Sequence, residues 1–259
     1  MKTLAIIRPD QQLEDSKKVV ESFGYDVLAT ALVDIVPIRD LLWPTFLEEL
    51  KTGRVDYVVI TSANGALSCA ELRLNAASFP SSTRVVAIGP KTRSAMLKAH
   101  LRVDLMPSEY SSRGIVQMLS DVARKNVWVL RSAFGSPELT EGLQNSGATV
   151  NEIVLYTLKK LCGRPQRDFI RELVESDVAG VLFTSAMTVH ALFDCADRIG
   201  VKRHLIERLQ NRVVVGAIGK PTADALGSFD VRVDIMPNKA TFRELVSTVH
   251  ATLTYRSPQ

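Results

Sequence analysis

The sequence predicts an α/β protein built from two similar doubly wound domains, each with a parallel sheet of five strands. Three observations lead to this prediction. Short apolar runs alternate with amphipathic segments along the chain, which is the pattern of parallel strands joined by crossover helices. Blocks of residues from the first half recur in the second half in the same order. Small hydroxyl residues and glycines directly follow several apolar runs, where such sheets bind their ligands.

The internal repeat is the observation from which the domain organisation follows most directly. Ser62 and Ser185 are separated by 123 positions (185 minus 62), as are Arg8 and Arg131, and two later pairs of blocks are shifted by 130 positions. An insertion of seven residues (130 minus 123) explains the change, so we interpret the chain as a duplicated half. The matched blocks are residues 60–66 with 183–189, 87–92 with 217–222, and 103–107 with 233–237.

The elements of the first half follow from apolar spacing and from residues that end strands and helices. Apolar residues 4–7 form a strand that Arg8-Pro9 stops, and the amphipathic helix that follows ends at Gly24. The further elements of this half are a strand at 27–36, a crossing helix at 38–50, a strand at 57–60, a helix capped by Ser62, a strand at 85–88, a helix at 92–99, a short strand at 103–105 and a closing helix at 115–122.

The second half repeats this plan. Its strand at 127–130 leads to a helix that carries Leu139 and Leu143 and stops at Gly147. The further elements are a strand at 150–158, a crossing helix at 169–174, a strand at 180–183, a helix capped by Ser185 and a closing helix at 242–253.

Composition and charge exclude several classes of protein. Hydrophobic residues make up 46% of the 259 positions and charged residues 23%, as in ordinary globular proteins. The net charge of +4 comes without a run of Lys or Arg, so we expect an acidic small molecule as ligand and no nucleic acid. No apolar run approaches the ~20 residues of a membrane span, and the apolar N-terminal stretch is too short for a signal peptide. We therefore expect a soluble, cytoplasmic protein without membrane contact.

Several familiar chemistries have no signature in this sequence. The cysteines Cys69, Cys162 and Cys195 are odd in number and far apart, which suggests neither a disulfide framework nor a zinc site and fits a reducing cytosol. No glycine-rich nucleotide-binding motif is present, and the histidines lack metal-ligand spacing. His190 follows Ser185 beside an apolar helix face, where we favour a structural role. We expect no metal and no cofactor.

Polar residues from both halves follow strand ends, and these are the candidate binding residues. Strand ends of one parallel sheet meet at one edge, where hydroxyl groups and free helix N–H groups attract anions. An Arg guanidinium suits carboxylates and phosphates, although Arg8 and Arg131 could equally form salt bridges between domains, and any single Ser or Thr could be a plain helix cap. The candidates are Arg8, Thr61, Ser62, Asn64, Gly89, Lys91, Thr92, Arg131, Thr184, Ser185, Gly219, Lys220 and Thr222.

The combined motifs resemble those of uroporphyrinogen-III synthases. They are an early Arg-Pro, T-S-A-N at a strand end, I-G-x-x-T in both halves, L-R in mid-chain and Tyr156 at the end of the apolar run 153–156. The resemblance covers nearly the whole chain. It implies a cofactor-free lyase that cyclises hydroxymethylbilane to uroporphyrinogen III with inversion of the last pyrrole ring and loss of water. It also implies Tyr156 as the catalytic acid, with Ser62, Thr92, Ser185 and Thr222 binding carboxylates.

The resemblance further implies a discontinuous domain arrangement. Residues 1–36 would join 160–259 in the first domain, and 37–158 would form the second, with crossings near 36–38 and 158–160. The crossings would make a two-stranded linker, with a cleft between the domains. The residues alone are equally compatible with two sequential halves.

The resemblance also implies the partners. The substrate would be a linear tetrapyrrole with many carboxylates, the protein would be a monomer, and a transient contact with the preceding enzyme of the pathway is a further expectation. Whether the product serves haem, sirohaem or cobalamin stays open. Two alternatives without catalysis remain: a two-domain small-anion binding protein, and a regulator with the same fold.

Overall fold

The computed structural model describes residues 2–255, so the first residue and residues 256–259 of the predicted first domain lie outside the described part. The chain forms two compact units. Unit 1 contains the chain up to Asp34 and from Lys159 onward, and unit 2 contains Ile35–Leu158.

Unit 2 is built around a sheet with the strand order β3-β7-β6-β4-β5, counted within residues 2–255. The pairs β7 with β6, β6 with β4 and β4 with β5 are parallel. The strands are β3 (Val33–Pro37), β4 (Tyr57–Ile60), β5 (Arg84–Ala87), β6 (Asn126–Ser132) and β7 (Thr149–Lys160). The helices are α2 (Trp43–Lys51), α3 (Ala63–Glu71), α4 (Pro90–Lys98), α5 (Ser112–Met118) and α6 (Glu138–Asn145).

The central strand β4 of unit 2 is apolar and largely buried along its length, because both faces of the sheet are covered there. Alternate residues of β4 belong to different cores: Val58 and Ile60 pack with Phe46 and Trp128, whereas Val59 packs with Ile115 on the other face. Each core contains side chains from helices as well as strands. Helices therefore cover both faces of the sheet.

Unit 1 has a sheet with the order β2-β1-β8-β9 within the described residues, and each neighbouring pair is parallel. On one face, Leu4, Ile6 and Leu182 pack against Leu245 and Val249 of the closing helix. The strands are β1 (Thr3–Ile7), β2 (Asp26–Thr30), β8 (Val178–Phe183) and β9 (Val214–Ala217). The helices are α1 (Asp10–Glu21), α7 (Arg164–Glu175), α8 (Ala186–Arg198), α9 (Lys202–Asn211), α10 (Lys220–Gly227) and α11 (Phe242–Tyr255).

The strand pairing mixes the two copies of the repeat. Strands β1 and β6 correspond through the 123-residue shift, and so do the strands that precede Ser62 and Ser185, β4 and β8. In the structure β1 pairs with β8, and β6 pairs with β4. Each sheet therefore contains equivalent strands from both copies in equivalent neighbouring positions.

The predicted α/β class with two parallel-dominated sheets is confirmed, and two details differ from the prediction. The short strand expected at 103–105 is a single bridge, Val86 with Leu105. The matched block of unit 1 likewise forms one bridge, Gly216 with Ile235, and the described sheet of unit 1 has four strands rather than five. The strand expected at 27–36 is divided into β2 and β3, which lie in different sheets. The apolar residues continue through this segment, so the sequence does not show that β2 pairs with β1 and β3 with β7.

A disulfide joins Cys162, just after β7, to Cys195 on α8, both within unit 1. This corrects the expectation of no disulfide. The two residues are 33 positions apart in sequence, but the crossover through α7 and β8 brings their Cα atoms to 5.4 Å. Cys69 is buried and free, and burial raises the pKa of its thiol to about 12.

Two further findings apply to the described part of the chain. Within residues 2–255, no helix is both long and apolar enough to cross a bilayer. Over the same range, no group of three or more His, Cys, Asp or Glu side chains is placed to hold a metal ion.

Candidate functional site

A hydrogen bond between Ser62 and Tyr156 forms the centre of the carboxyl edge of unit 2. Ser62 has extended backbone angles and caps α3, because its Oγ accepts from the N–H of Gly65 at 2.9 Å. The same Oγ lies 2.9 Å from the Tyr156 hydroxyl oxygen. Tyr156 is on β7 and its side chain is buried. The sheet order therefore brings together two hydroxyl groups that are 94 residues apart in sequence.

The cap leaves the Ser62 hydroxyl proton free to be donated. If Ser62 Oγ accepts from Gly65 and donates its proton to the Tyr156 oxygen, the phenol proton is available to a ligand. If Tyr156 donates to Ser62 instead, the serine proton is the available one. In either case the pair can deliver one proton to a reacting group at the strand ends and exchange it along the hydrogen bond.

The Gly89 turn provides a second polar feature at this edge. Gly89 precedes α4, which has no side-chain cap and has Pro90 in its first turn, so backbone N–H groups at the helix start remain for an anion. Thr92 is buried in this turn and Lys91 is exposed. Gly89 has an extended backbone, with φ of −174°, which any residue can adopt. The reason for a glycine here is instead the lack of room for a side chain. An added Cβ would lie 3.1 Å from the Cβ of Tyr110.

Unit 1 repeats these features at the carboxyl edge of its own sheet. Ser185 caps α8 by accepting from the Thr188 N–H at 3.2 Å. Gly219 is extended and precedes α10, which also has no side-chain cap, and Thr222 is buried in its first turn. Lys220 pairs with Asp224 across 3.0 Å on the exposed face.

Threonines in the two strand-end segments make matching contacts. Thr61 Oγ1 donates to the Leu130 carbonyl at 3.4 Å, and Thr184 Oγ1 donates to the Ile7 carbonyl at 3.3 Å. Both hydroxyls therefore tie a strand end to its neighbour in the same sheet. Asn64 is half-buried in the first turn of α3.

The two arginines have partners inside their own units. Arg131 is buried, and its guanidinium pairs with Glu152 on β7 at 2.6 Å and donates to Thr140 at 3.3 Å. This ion pair lies within unit 2.

In unit 1, Arg8 donates to Ser16 at 3.1 Å and to Gln12, and its guanidinium lies 4.8 Å from the ring centre of Phe242. Burial lowers the pKa of Arg8. The guanidinium is thus held between a polar helix face and an aromatic ring.

The structure places every candidate residue at or beside the carboxyl end of a strand in its own sheet, and a direct contact between two candidates is seen for Ser62 with Tyr156. Sequence reasoning missed this hydrogen bond and the partner of Arg131. It also missed Tyr110, whose side chain lies against the Gly89 turn. The repeat contains a signal that could have found it: Tyr110 is matched by Ala240, so the aromatic ring occurs in one copy and is absent from the other.

The family model of uroporphyrinogen-III synthase HemD matches residues 14–247. The chain belongs to the uroporphyrinogen-III synthase family. The family assignment made from the motifs is therefore confirmed. Membership supports a cyclising lyase role in tetrapyrrole synthesis with a small-molecule tetrapyrrole as substrate.

Individual relatives agree with this assignment. An Archaeoglobus fulgidus protein named "Putative uroporphyrinogen-III synthase" is 29% identical over 93% of this chain and 95% of its own length. A crystal structure of a mutant uroporphyrinogen III synthase from Thermus thermophilus has a TM-score of 0.67 at 19% identity, covering 99% of this chain and all of the other. The uroporphyrinogen-III synthetase of Helicobacter pylori has a TM-score of 0.61 at 17% identity, with 99% and 100% coverage. The fold is thus shared with these solved structures.

Proposed function

We propose that this protein converts hydroxymethylbilane to uroporphyrinogen III, inverting the last pyrrole ring and releasing water. The observation that carries the proposal is the Ser62–Tyr156 hydrogen bond at the carboxyl edge of unit 2. This pair can supply a proton where the reaction requires one, next to helix starts that favour carboxylates.

Tyr156 is proposed as the acid that starts the reaction. Its phenol proton goes to the hydroxymethyl oxygen of the substrate while the C–O bond breaks, so water leaves and an azafulvene cation remains. Ser62 then stabilises the phenolate by donating a hydrogen bond from its hydroxyl group to the Tyr156 oxygen. After attack at the substituted carbon of the last ring, the spiro intermediate fragments and recloses. The final carbon-bound proton returns to the phenolate, so Tyr156 is regenerated.

Positioning is the second requirement of the reaction. The unaided bilane can close without inversion, so the protein must hold the last ring for attack at its substituted carbon. Two helix starts without side-chain caps, those of α4 and α10, are available for carboxylates. Thr92 and Thr222 are buried in these turns and are proposed to assist in binding them. No metal or cofactor has a role in this proposal.

The test is incubation of the purified protein with freshly prepared hydroxymethylbilane, followed by separation of the product isomers after oxidation. The proposal expects uroporphyrinogen III as the main product, in an amount that rises with protein concentration. A mixture equal to the spontaneous one would reject catalysis and favour a binding protein or a regulator with this fold. The Tyr156→Phe variant serves as the matched low-activity sample.

A further inference from the structure

Two exposed aromatic side chains lie at the carboxyl edge of unit 2. Tyr110 and Phe134 are each 59% exposed, although aromatic rings contribute most to stability when they are buried. Phe134 follows β6, and Tyr110 lies against Gly89, which follows β5. The strand that ends at Ser62, β4, separates them in the sheet. With strands ~4.8 Å apart, the ends of β6 and β5 are separated by about 10 Å.

The loop that carries Phe134 is fixed from two directions. The N–H of Ala133 donates to the carbonyl of Tyr156 at 2.9 Å, which places Phe134 directly after a residue bonded to the proposed acid. On the other side, a Cβ on Gly135 would overlap the guanidinium of Arg131, so the loop backbone lies directly on that buried side chain. Arg131 in turn is held by Glu152. Backbone contacts therefore hold the loop 133–135 in place, while the phenyl ring of Phe134 remains exposed.

The repeat shows that Tyr110 is not required for the fold of its own loop. In unit 2 the Ser111 N–H donates to the Glu109 carbonyl at 2.8 Å, and in unit 1 the matched Thr241 N–H donates to the Lys239 carbonyl at 2.7 Å. The same turn therefore forms with Ala240 at the position of Tyr110. A Cβ on Gly219 would meet nothing within 4 Å, whereas the equivalent space at Gly89 holds Tyr110.

The unit 1 edge differs, because its aromatic ring beside a candidate residue, Phe242, is partly buried against Arg8. In the part of unit 1 that the structure describes, the exposed large apolar side chains are Met236 and Tyr255. Tyr255 is the last residue of α11, a helix of 14 residues and hence ~21 Å long that starts at the carboxyl edge. Its ring therefore lies far from the strand ends that carry the candidate residues. Neither strain nor packing within unit 2 accounts for two exposed rings beside its candidate site.

We propose that Phe134 and Tyr110 are positioning residues that bind pyrrole rings of the substrate, an assignment that rests on the proposed function. A pyrrole is flat and apolar on its faces, and it carries its carboxylates at the rim. Aromatic side chains bind such faces by stacking or edge contacts, while helix starts and hydroxyls bind the rim. Phe134 beside Tyr156 holds a ring next to the reacting group, and Tyr110 holds a ring further along the chain. The edge of unit 2 thus offers aromatic rings for the pyrrole faces and the N–H groups at the start of α4 for the carboxylates at the rim.

The experiment measures kcat, KM and product isomers with hydroxymethylbilane for Phe134→Ala, Tyr110→Ala and Tyr110→Phe. Tyr255→Ala is the control, because it removes an exposed aromatic ring at the far end of α11 from the site. We expect a rise in KM of about three- to tenfold for each alanine variant at the site, a smaller rise for Tyr110→Phe, which keeps the ring, and wild-type values for Tyr255→Ala. Phe134→Ala also raises the share of the non-inverted isomer.

Salt dependence separates this role from a charge effect. Contacts between rings are not screened, so the ratio of KM values between variant and wild type stays the same from about 50 to about 500 mM NaCl. A KM within about twofold of wild type for both alanine variants would overturn the proposal. A ratio of KM values that falls to about one at high salt would also overturn it. Melting temperatures within about 2 °C of wild type are expected, since both rings are largely exposed and Ala240 already occupies the position matched to Tyr110.

A binding measurement keeps this test independent of turnover. Wild type and the double variant Phe134→Ala/Tyr110→Ala are titrated with the monopyrrole porphobilinogen in a calorimeter. Weaker binding by the double variant supports ring recognition even if the wild type gives only the spontaneous isomer mixture, in which case the proposed function alone fails. Equal binding, or no binding by the wild type, contradicts ring recognition.

Discussion

Removing the Tyr156 hydroxyl is the sharpest test of the candidate site. Tyr156→Phe deletes one oxygen from a side chain that is 5% exposed and leaves the ring in its apolar core. The lost hydrogen bond to Ser62 should lower the free energy of unfolding by about 1 kcal/mol, since Ser62 keeps its bond from Gly65. For a chain of this size, that corresponds to a fall in melting temperature of about 2–4 °C.

The effect on catalysis should be far larger than the effect on stability. Loss of a general acid lowers the rate by a factor of roughly 100 or more, so kcat should fall by at least that factor while KM changes little. The measurement is initial-rate formation of uroporphyrinogen III from fresh hydroxymethylbilane, with the spontaneous rate subtracted. The fraction of isomer III in the residual product should also fall, because slow loss of water on the enzyme leaves more substrate to cyclise unaided.

Tyr25 provides the matched control for this experiment. Its hydroxyl also makes one hydrogen bond, to His250 Nδ1 at 3.1 Å, and its side chain is 6% exposed in unit 1. It lies just before β2, at the opposite end of the strand from the candidate edge. Tyr25→Phe should therefore lose similar stability and keep full activity. The assignment of Tyr156 is refuted if both variants retain wild-type kcat, or if both lose it equally.

Four further outcomes are expected. Thr222→Ala should raise KM several-fold with kcat nearly unchanged, and an unchanged KM would remove this buried residue from carboxylate binding. Gly135→Ala should destabilise unit 2 by about 1–3 kcal/mol in a urea titration, because its Cβ overlaps the Arg131 guanidinium; a wild-type midpoint would contradict that packing. Gly89→Ala should raise KM by displacing Tyr110, with a Tyr110→Ala/Gly89→Ala double variant no worse than Tyr110→Ala alone; additive losses would argue against this route. A maleimide should leave Cys69 unlabelled in the native protein at about pH 8, since its thiol is buried with a pKa of about 12, and labelling before unfolding would contradict that burial.

The sign of the Cys69 effect on stability follows from the same pKa. The folded thiol has a pKa raised from 9.0 to about 12, so burial favours its protonated form. Stability is therefore fully present below pH 9 and declines as the pH rises between those two values, because only the unfolded chain can readily ionise there. A Cys69→Ser variant would add a buried hydroxyl, so Cys69→Ala is the appropriate comparison for the pH titration.

Strand ends and helix caps were the part of the structure that local sequence could specify. Ser62 and Ser185 cap the helices predicted for them, because a small hydroxyl before an amphipathic segment meets a free N–H group whatever the tertiary context. The repeat then doubled the information available for each strand end. The fold class followed from these local signals and from the order of the elements.

Contacts across the sheet required the strand order, which local patterns do not contain. The bond between Ser62 and Tyr156 joins residues 94 positions apart, and it depends on β6 lying between β7 and β4. The pairing of Arg131 with Glu152 depends likewise on β6 lying beside β7. The Cys162–Cys195 disulfide was missed for the same reason, since separation in sequence says little about proximity after a crossover.

The most direct measurement of the central claim is the isomer composition formed from hydroxymethylbilane by equal amounts of wild type, Tyr156→Phe and Tyr25→Phe. We expect isomer III as the main product for wild type and Tyr25→Phe, and mostly the non-inverted isomer for Tyr156→Phe. The same composition with all three proteins, equal to that formed without protein, would contradict it.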